Sequence, residues 1–381
     1  MIYLDAAATT VVRREVLEAM WPYLTGEFGN PSSHHAVGHV AAEALKQARA
    51  TVAECLGCRA SEIIFTAGGT EADNLAIKGI ALANPRGRHI VTTAIEHKAV
   101  IESCEYLKRV HGFQVTYLPV DRNGIVDVAQ AAVALREDTT LCSVMLANNE
   151  VGTIQPVPEI AAAAHAKGVP MHTDAVQAAG ALELNVKTLG VDALSLSGHK
   201  VGAPKGTGIL YLKGRVQVEP VLHGGGQEKG RRSGTENVAG AVGIALALRL
   251  AEQGRAERME HIAGLRDALI HGVLAAVPTA VLTGHPEHRL PGSASFCFPG
   301  TSGEAVLLYL EEHGIVCSSG SACAAGSDEP SHVLMAMGFP REVAQTAVRF
   351  TLSDGVSEEQ IAEVVGAVRD GVRTVMGIGG K

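Results

Sequence analysis

A chain of 381 residues exceeds what one hydrophobic core normally organises, so two domains are expected. A net charge of −8 argues against nucleic acid as a direct partner. No apolar run is long enough to span a bilayer, and Met1-Ile2-Tyr3-Leu4-Asp5 has neither the basic nor the apolar region of a secretory signal. Seven scattered cysteines (Cys55, Cys58, Cys104, Cys142, Cys297, Cys317 and Cys323) make no disulfide framework and suit a reducing cytoplasm. Cys55-Leu56-Gly57-Cys58 has no second pair and no neighbouring histidine, so it reads as packing and turn chemistry rather than zinc.

In chain order, residues 1–36 read as irregular. Their turn-rich Gly29-Asn30-Pro31-Ser32-Ser33 could wrap over a site or across a subunit boundary. A helix is predicted over about Val37–Leu56 and a strand at Ile63–Thr66. Ala67-Gly68-Gly69-Thr70 then opens a helix to about Ala83. Glycines between a strand and a helix start leave backbone N–H groups pointing outward, a cup suited to phosphate. The plainer alternative is a glycine turn with Thr70 and Asp73 as a capping arrangement, but close approach of a ligand accounts better for the glycines.

Strands at Ile90–Thr93, Val115–Val120, Leu141–Ala147, Val169–Thr173, Ala193–Leu196 and Gly208–Leu212 follow. Helices fall at about Lys98–His111, Val128–Leu135, Pro158–Lys167 and Asn237–Gln253. Such alternation predicts a mostly parallel sheet covered on both faces. The strand ends carry Glu96-His97, Asn148-Asn149-Glu150, Asp174 and Ser197-Gly198-His199-Lys200. Ligands of α/β sheets bind beyond the carboxyl ends of the strands, so Lys200, Asp174 and Gln177 could share one rim. An amine, a carboxylate and an amide there match the needs of pyridoxal 5'-phosphate. The lysine forms a Schiff base, and the carboxylate keeps the pyridine nitrogen protonated. Taken alone, Lys200 and Asp174 are as readily a surface lysine and a helix cap. No G-x-G-x-x-G follows the first strand, which removes a dinucleotide site.

Gly224 to Glu236 is a flexible cationic loop in which Thr235 is either an N-cap or a second phosphate contact. From about Arg255 the texture changes. Helix Arg258–Val277 would link two domains. Strand Ser293–Phe298, helix Ser302–Glu312, strand Gly314–Cys317, a helix near Val333, strand Ala347–Leu352 and helix Glu358–Met376 suggest a smaller α+β domain. Within it, Ser318-Ser319-Gly320-Ser321-Ala322-Cys323-Ala324-Ala325-Gly326-Ser327-Asp328 has almost no bulky side chain and cannot bury itself. It presents one thiol, Cys323, which is either a nucleophile or an incidental small residue. Cys317, at the strand end, looks like packing.

Taken together, these segments resemble the class V, fold-type I pyridoxal phosphate enzymes, and among them the cysteine desulfurases of the NifS/IscS type. The resemblance runs from Tyr3-Leu4-Asp5-Ala6-Ala7-Ala8-Thr9-Thr10 to the strand with Arg349. It rests on Gly29-Asn30-Pro31-Ser32-Ser33-His34-His35, Gly69-Thr70-Glu71-Ala72-Asp73-Asn74, Glu96-His97-Lys98, Asn148-Asn149-Glu150-Val151-Gly152, Asp174-Ala175-Val176-Gln177, Ser197-Gly198-His199-Lys200, Arg232-Ser233-Gly234-Thr235 and Gly320-Ser321-Ala322-Cys323. Ala67 stands where that family commonly has serine.

The resemblance implies a large domain over residues 12–256 with a mostly parallel seven-stranded sheet. A small α+β domain of residues 1–11 and 257–381 would carry the cysteine loop at about 318–330. Lys200 would carry the cofactor and move the Cα proton. His97 would stack on the ring, Asp174 would pair with the ring nitrogen, and Gln177 would bond the phenolic oxygen. Gly69, Thr70, Ser197 and His199 would hold the phosphate, joined by Thr235 of the other subunit of a homodimer. Asn149 and Arg349, with Asn30, would bind substrate, a guanidinium suiting an α-carboxylate. Cys323 would take sulfur from L-cysteine, leaving alanine and a persulfide for an acceptor protein, an iron–sulfur scaffold or a thiolation enzyme. It could also help hold a nascent [2Fe-2S] cluster with a scaffold. Selenocysteine lyase or aminotransferase activity on the same fold, and a partner-binding scaffold without turnover, are the alternatives.

Overall fold

The structure, a computed structural model, describes residues 1–83, 86–320 and 329–379. The N-terminal part contains β1 (Ile2–Tyr3), α1 (Arg14–Thr25), α2 (Ala36–Leu56), β2 (Ile63–Thr66), α3 (Gly69–Ala83), β3 (His89–Thr93), α4 (Lys98–His111) and β4 (Gln114–Leu118). Next come α5 (Val128–Ala134), β5 (Thr139–Ser143), α6 (Val157–Ala166), β6 (Met171–Asp174), α7 (Val186–Leu189), β7 (Ala193–Ser197), β8 (Gly208–Leu212) and α8 (Val238–Glu252). The C-terminal part contains α9 (Arg255–Ala276), β9 (Val281–Thr283), β10 (Ser293–Cys297), α10 (Gly303–Glu312), β11 (Ile315–Val316), α11 (His332–Ala336), α12 (Arg341–Ala344), β12 (Ala347–Thr351) and α13 (Glu358–Gly379).

Seven strands form one sheet in the order β2-β8-β7-β6-β5-β3-β4. All its pairings are parallel except those of β8, which runs against both β2 and β7. Its inner strands are buried along their whole length, which explains why they read as near-continuous apolar runs. Successive strand residues serve opposite faces. Ile63 joins Val52, Val91 and Ile244 in one core, while Ile64 joins Ile77, Ile80 and Leu107 in another.

A third core is built by Leu265, Leu269, Phe296, Phe298, Val348 and Phe350 with Ile2 and Leu4. It lies under an antiparallel sheet of order β12-β10-β9 and the parallel pair β1-β11, so the first residues of the chain pack with the last third. Among the described residues no helix is long and apolar enough to cross a membrane.

Several elements depart from the sequence expectation, among them β1, α7 and α12. The segment read as irregular contains α1, in spite of Pro22 within it. Val16 and Met20 bury one face of that helix against α8, and packing outweighs the proline penalty. The strand β9 is only three residues long and lies at a sheet edge, too short for alternation to reveal it.

Gly208 on β8 sits directly behind the turn that opens α3. A Cβ added there would lie 2.5 Å from the Gly68 carbonyl carbon, and backbone cannot retreat as a side chain can. Gly208→Ala is expected to destabilise the protein by about 1–3 kcal/mol, read as a lower midpoint in chemical denaturation. An unchanged midpoint would mean that the turn is free to move.

Candidate active site

The carboxyl ends of β5, β6 and β7 and the first turn of α3 enclose a cavity of about 450 Å³. Ten of the residues expected at the site from the sequence line it: Gly69, Thr70, His97, Asn149, Asp174, Gln177, Ser197, His199, Lys200 and Arg349. Asp174 ends β6 and is 5% exposed, its Oδ1 accepting the Val176 N–H at 2.9 Å. Burial raises its carboxyl, while His97 and Lys200 pull the other way. Lys200 follows β7 in a short helical turn. Its Nζ donates to the Ala8 carbonyl at 2.9 Å and to that of Ala7.

His97 caps α4, its Nδ1 accepting the Ala99 N–H at 3.1 Å, so a neutral ring carries its proton on Nε2. Gln177 Nε2 donates to the Ala7 carbonyl at 3.0 Å. His199 is neutral: burial first, then Lys200 and Lys205, push it down to about 4. Its Nδ1 lies 3.2 Å from Thr9 Oγ1.

The turn expected to cup a phosphate is formed by α3 starting directly on Gly69. A Cβ at Gly69 would meet Val176 Cγ2 at 2.8 Å and Ser197 Cβ at 3.4 Å, so this position has no room for a side chain. Arg349, 2% exposed, donates through Nη1 to the Asn149 carbonyl at 2.7 Å and through Nη2 to Asp5 Oδ1 at 2.7 Å.

Three expected residues do not join this cavity. Asn30 is exposed and spends its side chain on a turn, accepting the Ser32 N–H at 2.9 Å. Thr235 is exposed in a separate hollow beside Glu228, Arg232 and Asn237. Cys323 lies outside the described residues, and with it the expected nucleophile, the expected cluster ligand and most of the cysteine loop.

The structure adds residues that the sequence reading passed over. Asp73, taken as part of a cap, instead lines the cavity and is 1% exposed. One oxygen of Asp73, one oxygen of Asp174 and a ring nitrogen of His97 lie within 4.8 Å of one another. Burial, then the neighbouring Asp174, drive the Asp73 carboxyl well above the carboxylate range, because two desolvated carboxylates this close cannot both ionise. Its signal was present: Asp73 falls on the stripe Ala72, Ala76, Ile77, Ile80 that α3 buries. Beneath it, His172 on β6 is held by Ser143 Oγ at 2.8 Å and Ser195 Oγ at 3.0 Å, and burial drops it to about 3. Glu96, fully buried, takes Thr93 Oγ1 and the Met145 N–H on one oxygen, and burial pushes its carboxyl up to about 8.

Three residues that line the cavity each hold a buried polar atom without a hydrogen-bond partner: Asp73 Oδ1, Asn149 Oδ1 and Arg349 Nε. Unpaired buried polar atoms of both signs around one cavity suit a polar ligand carrying both donors and acceptors. Together with an amine at Lys200, a carboxylate at Asp174 and an anion cup at Gly69, the donor set fits pyridoxal phosphate.

Residues 2–364 match the family model described as aminotransferase class-V. The chain belongs to that family. It is 45% identical to the cysteine desulfurase IscS of Dictyoglomus turgidum across 98% of this chain and 96% of that one. A solved structure titled NifS-like protein superposes with a TM-score of 0.91 at 39% identity, covering 98% of this chain and 99% of that one. Another, titled SspA in complex with cysteine, gives 0.81 at 35% identity over 92% of this chain and 99% of that one. The class V fold, with its mostly parallel seven-stranded sheet, and the pyridoxal phosphate dependence agree with the expectations from sequence.

Glu96 yields a pH prediction. Its carboxyl has an ordinary value of 4.5 and stands near 8 in the folded protein. Below pH 4.5 both states hold the proton. Between about 4.5 and 8 the unfolded chain ionises first, so the folded state loses stability as pH rises. Glu96→Gln should therefore gain on the parent between pH 5 and 8.5, on the order of a few kcal/mol. Parallel denaturation profiles for the two proteins would contradict this.

Proposed function

We propose that this protein is a cysteine desulfurase, which converts L-cysteine to L-alanine and passes the sulfur to Cys323. The observation that carries this is the cavity in which Lys200, Asp174, His97 and Arg349 converge. The names of the relatives support the same chemistry. When bound, pyridoxal phosphate supplies the electron sink that makes the Cα proton of the amino acid acidic. Asp174 would hold the ring nitrogen, while the α3 cup, Ser197 and neutral His199 would receive the phosphate. Lys200 would provide the covalent attachment and an amine able to move the Cα proton. His97, whose Nδ1 caps α4, would stack on the ring. Arg349 and Asn149 take the substrate carboxylate.

The thiol inventory supports Cys323 as the acceptor. Burial raises all six described cysteines, Cys55 to about 11 and Cys58, Cys104, Cys142, Cys297 and Cys317 to about 12, so none is a thiolate at neutral pH. Cys323 attacks the substrate sulfur as a thiolate. The electron pair of the broken C–S bond stays with the β-carbon, which takes a proton to complete alanine, and the new S–S bond is the persulfide.

The division into residues 12–256 and 1–11 with 257–381 is supported by the separate core that holds Ile2 and Leu4. A homodimer is supported by the apolar face of α1 and the turn after it. Leu17, Leu24 and Phe28 are exposed there, and Trp21, the only tryptophan, is 62% exposed. A partner across that boundary would give Asn30 and Thr235 a site that their own chain does not offer. The acceptor is a protein of iron–sulfur assembly or of another thiolation pathway. The six described cysteines are unpaired, as a reducing cytoplasm requires.

Borohydride reduction followed by peptide mapping is expected to place the cofactor mass on Lys200. Cys323→Ala should keep that mass and lose the persulfide, with alanine release falling roughly 100-fold or more. Full persulfide formation in that variant would remove the assignment. Trp21→Asp is expected to sediment as a monomer, and an unchanged dimer would move the interface elsewhere.

A further inference from the structure

Asp5 opens the turn that follows the first strand. It follows β1 and lies across from Thr351 of β12. Its backbone is held without help from its carboxylate. Leu4 N–H donates to Val316 at 2.8 Å, Thr351 N–H donates to Leu4 at 2.7 Å, and Tyr3 Oη donates to the Asp5 carbonyl at 3.0 Å. The carboxylate points the other way and pairs with Arg349 Nη2 at 2.7 Å, the two side chains being 16% and 2% exposed.

Arg349 is gripped on two of its three nitrogens. Nη1 donates to the carbonyls of Asn149 at 2.7 Å and Gly320 at 3.4 Å, and Nη2 donates to Asp5. Nε is left buried and unpartnered in a residue that lines the cavity. A guanidinium is a planar fork, so fixing one edge aims the other. A flexible arginine would lose rotamer freedom on meeting its ligand, whereas one already clamped has less to lose.

We infer that Asp5 is a positioning residue for the substrate carboxylate: it clamps the guanidinium of Arg349 from behind so that its unpaired edge faces the α-carboxylate of the amino acid. The inference rests on the desulfurase reading for its substrate, and it predicts a specific pattern. Asp5 acts on ligands that carry a carboxylate and not on amines that lack one. It acts on binding rather than on turnover.

The test compares the parent holoenzyme with Asp5→Ala and Asp5→Asn. Calorimetry and the visible absorption of the bound cofactor report the affinity for L-alanine and for ethylamine, and steady-state kinetics report KM and kcat for L-cysteine. Asp5→Ala is expected to weaken L-alanine and raise KM for L-cysteine by roughly 10- to 100-fold, with kcat within about threefold. Asp5→Asn keeps the acceptor without the charge and should lose only about three- to tenfold, which serves as the measure if Asp5→Ala fails to fold. Ethylamine should bind all three proteins alike. Unchanged L-alanine affinity in both variants would overturn the inference, and so would an equal loss for ethylamine, which marks a merely structural role. Failure of the parent to release alanine from L-cysteine would instead remove the desulfurase reading, while the L-alanine and ethylamine comparison still decides the role of Asp5.

Discussion

The structure turns on desolvated charge held at the ends of buried strands. Asp174, Asp73 and Glu96 are all out of water beneath one cavity, and burial alone would neutralise each of them. They differ in what opposes that tendency. Asp174 has His97 and Lys200 to oppose burial, Asp73 has the Ser195 hydroxyl set against the negative charge of Asp174 and Glu96, and Glu96 keeps one buried oxygen unpartnered. Of the three, Asp174 is the carboxyl at which nearby cationic groups oppose burial. A carboxyl placed in this way suits the ring nitrogen of pyridoxal phosphate.

The N-terminal residues join the C-terminal core to the floor of that cavity. Residues 2–4 are built into the C-terminal core, and residues 5–10 run back across the cavity. On the way Ala7 and Ala8 offer carbonyls to Lys200, Ala7 offers one to Gln177, and Thr10 hydrogen-bonds the His199 carbonyl. Six residues, Asp5 to Thr10, none with a bulky side chain, thus reach the amine, the amide and the arginine of the site. Their small size has a physical reason, since backbone carbonyls can reach these groups only where side chains do not stand in the way.

How legible all this was in the sequence follows from range. Strands buried on both faces announce themselves as apolar runs, and residues just past their ends inherit a common rim, which is why Asp174, Lys200, His97 and Asn149 could be placed together. Elements that exist through packing alone were hidden: α1 carries a proline and is held by Val16 and Met20 against α8, a contact over two hundred residues away in sequence. Asp73 was hidden for a different reason. Its neighbours Thr70 and Glu71 resemble an ordinary helix start, and only the burial of the stripe it belongs to turns it inward. Asn30 and Thr235 lie outside the cavity, the one exposed in a turn and the other in a separate hollow.

The cysteines complete the argument from burial. A thiol surrounded by apolar atoms is a small hydrophobe whose ionised form is disfavoured, and six positions in this chain are of that kind. Cys317 shows how sharp the division is. It is only six residues before Cys323 and follows β11 directly, yet burial, with Asp5 adding to it, lifts its thiol to about 12. A sulfur nucleophile in this chain has to sit where neither burial nor that carboxylate reaches it. The stretch from Ser318 to Asp328, whose residues are almost all glycine, alanine and serine, offers no apolar surface with which to bury a thiol. A composition that makes a poor core element supports the proposal that Cys323 is the sulfur acceptor.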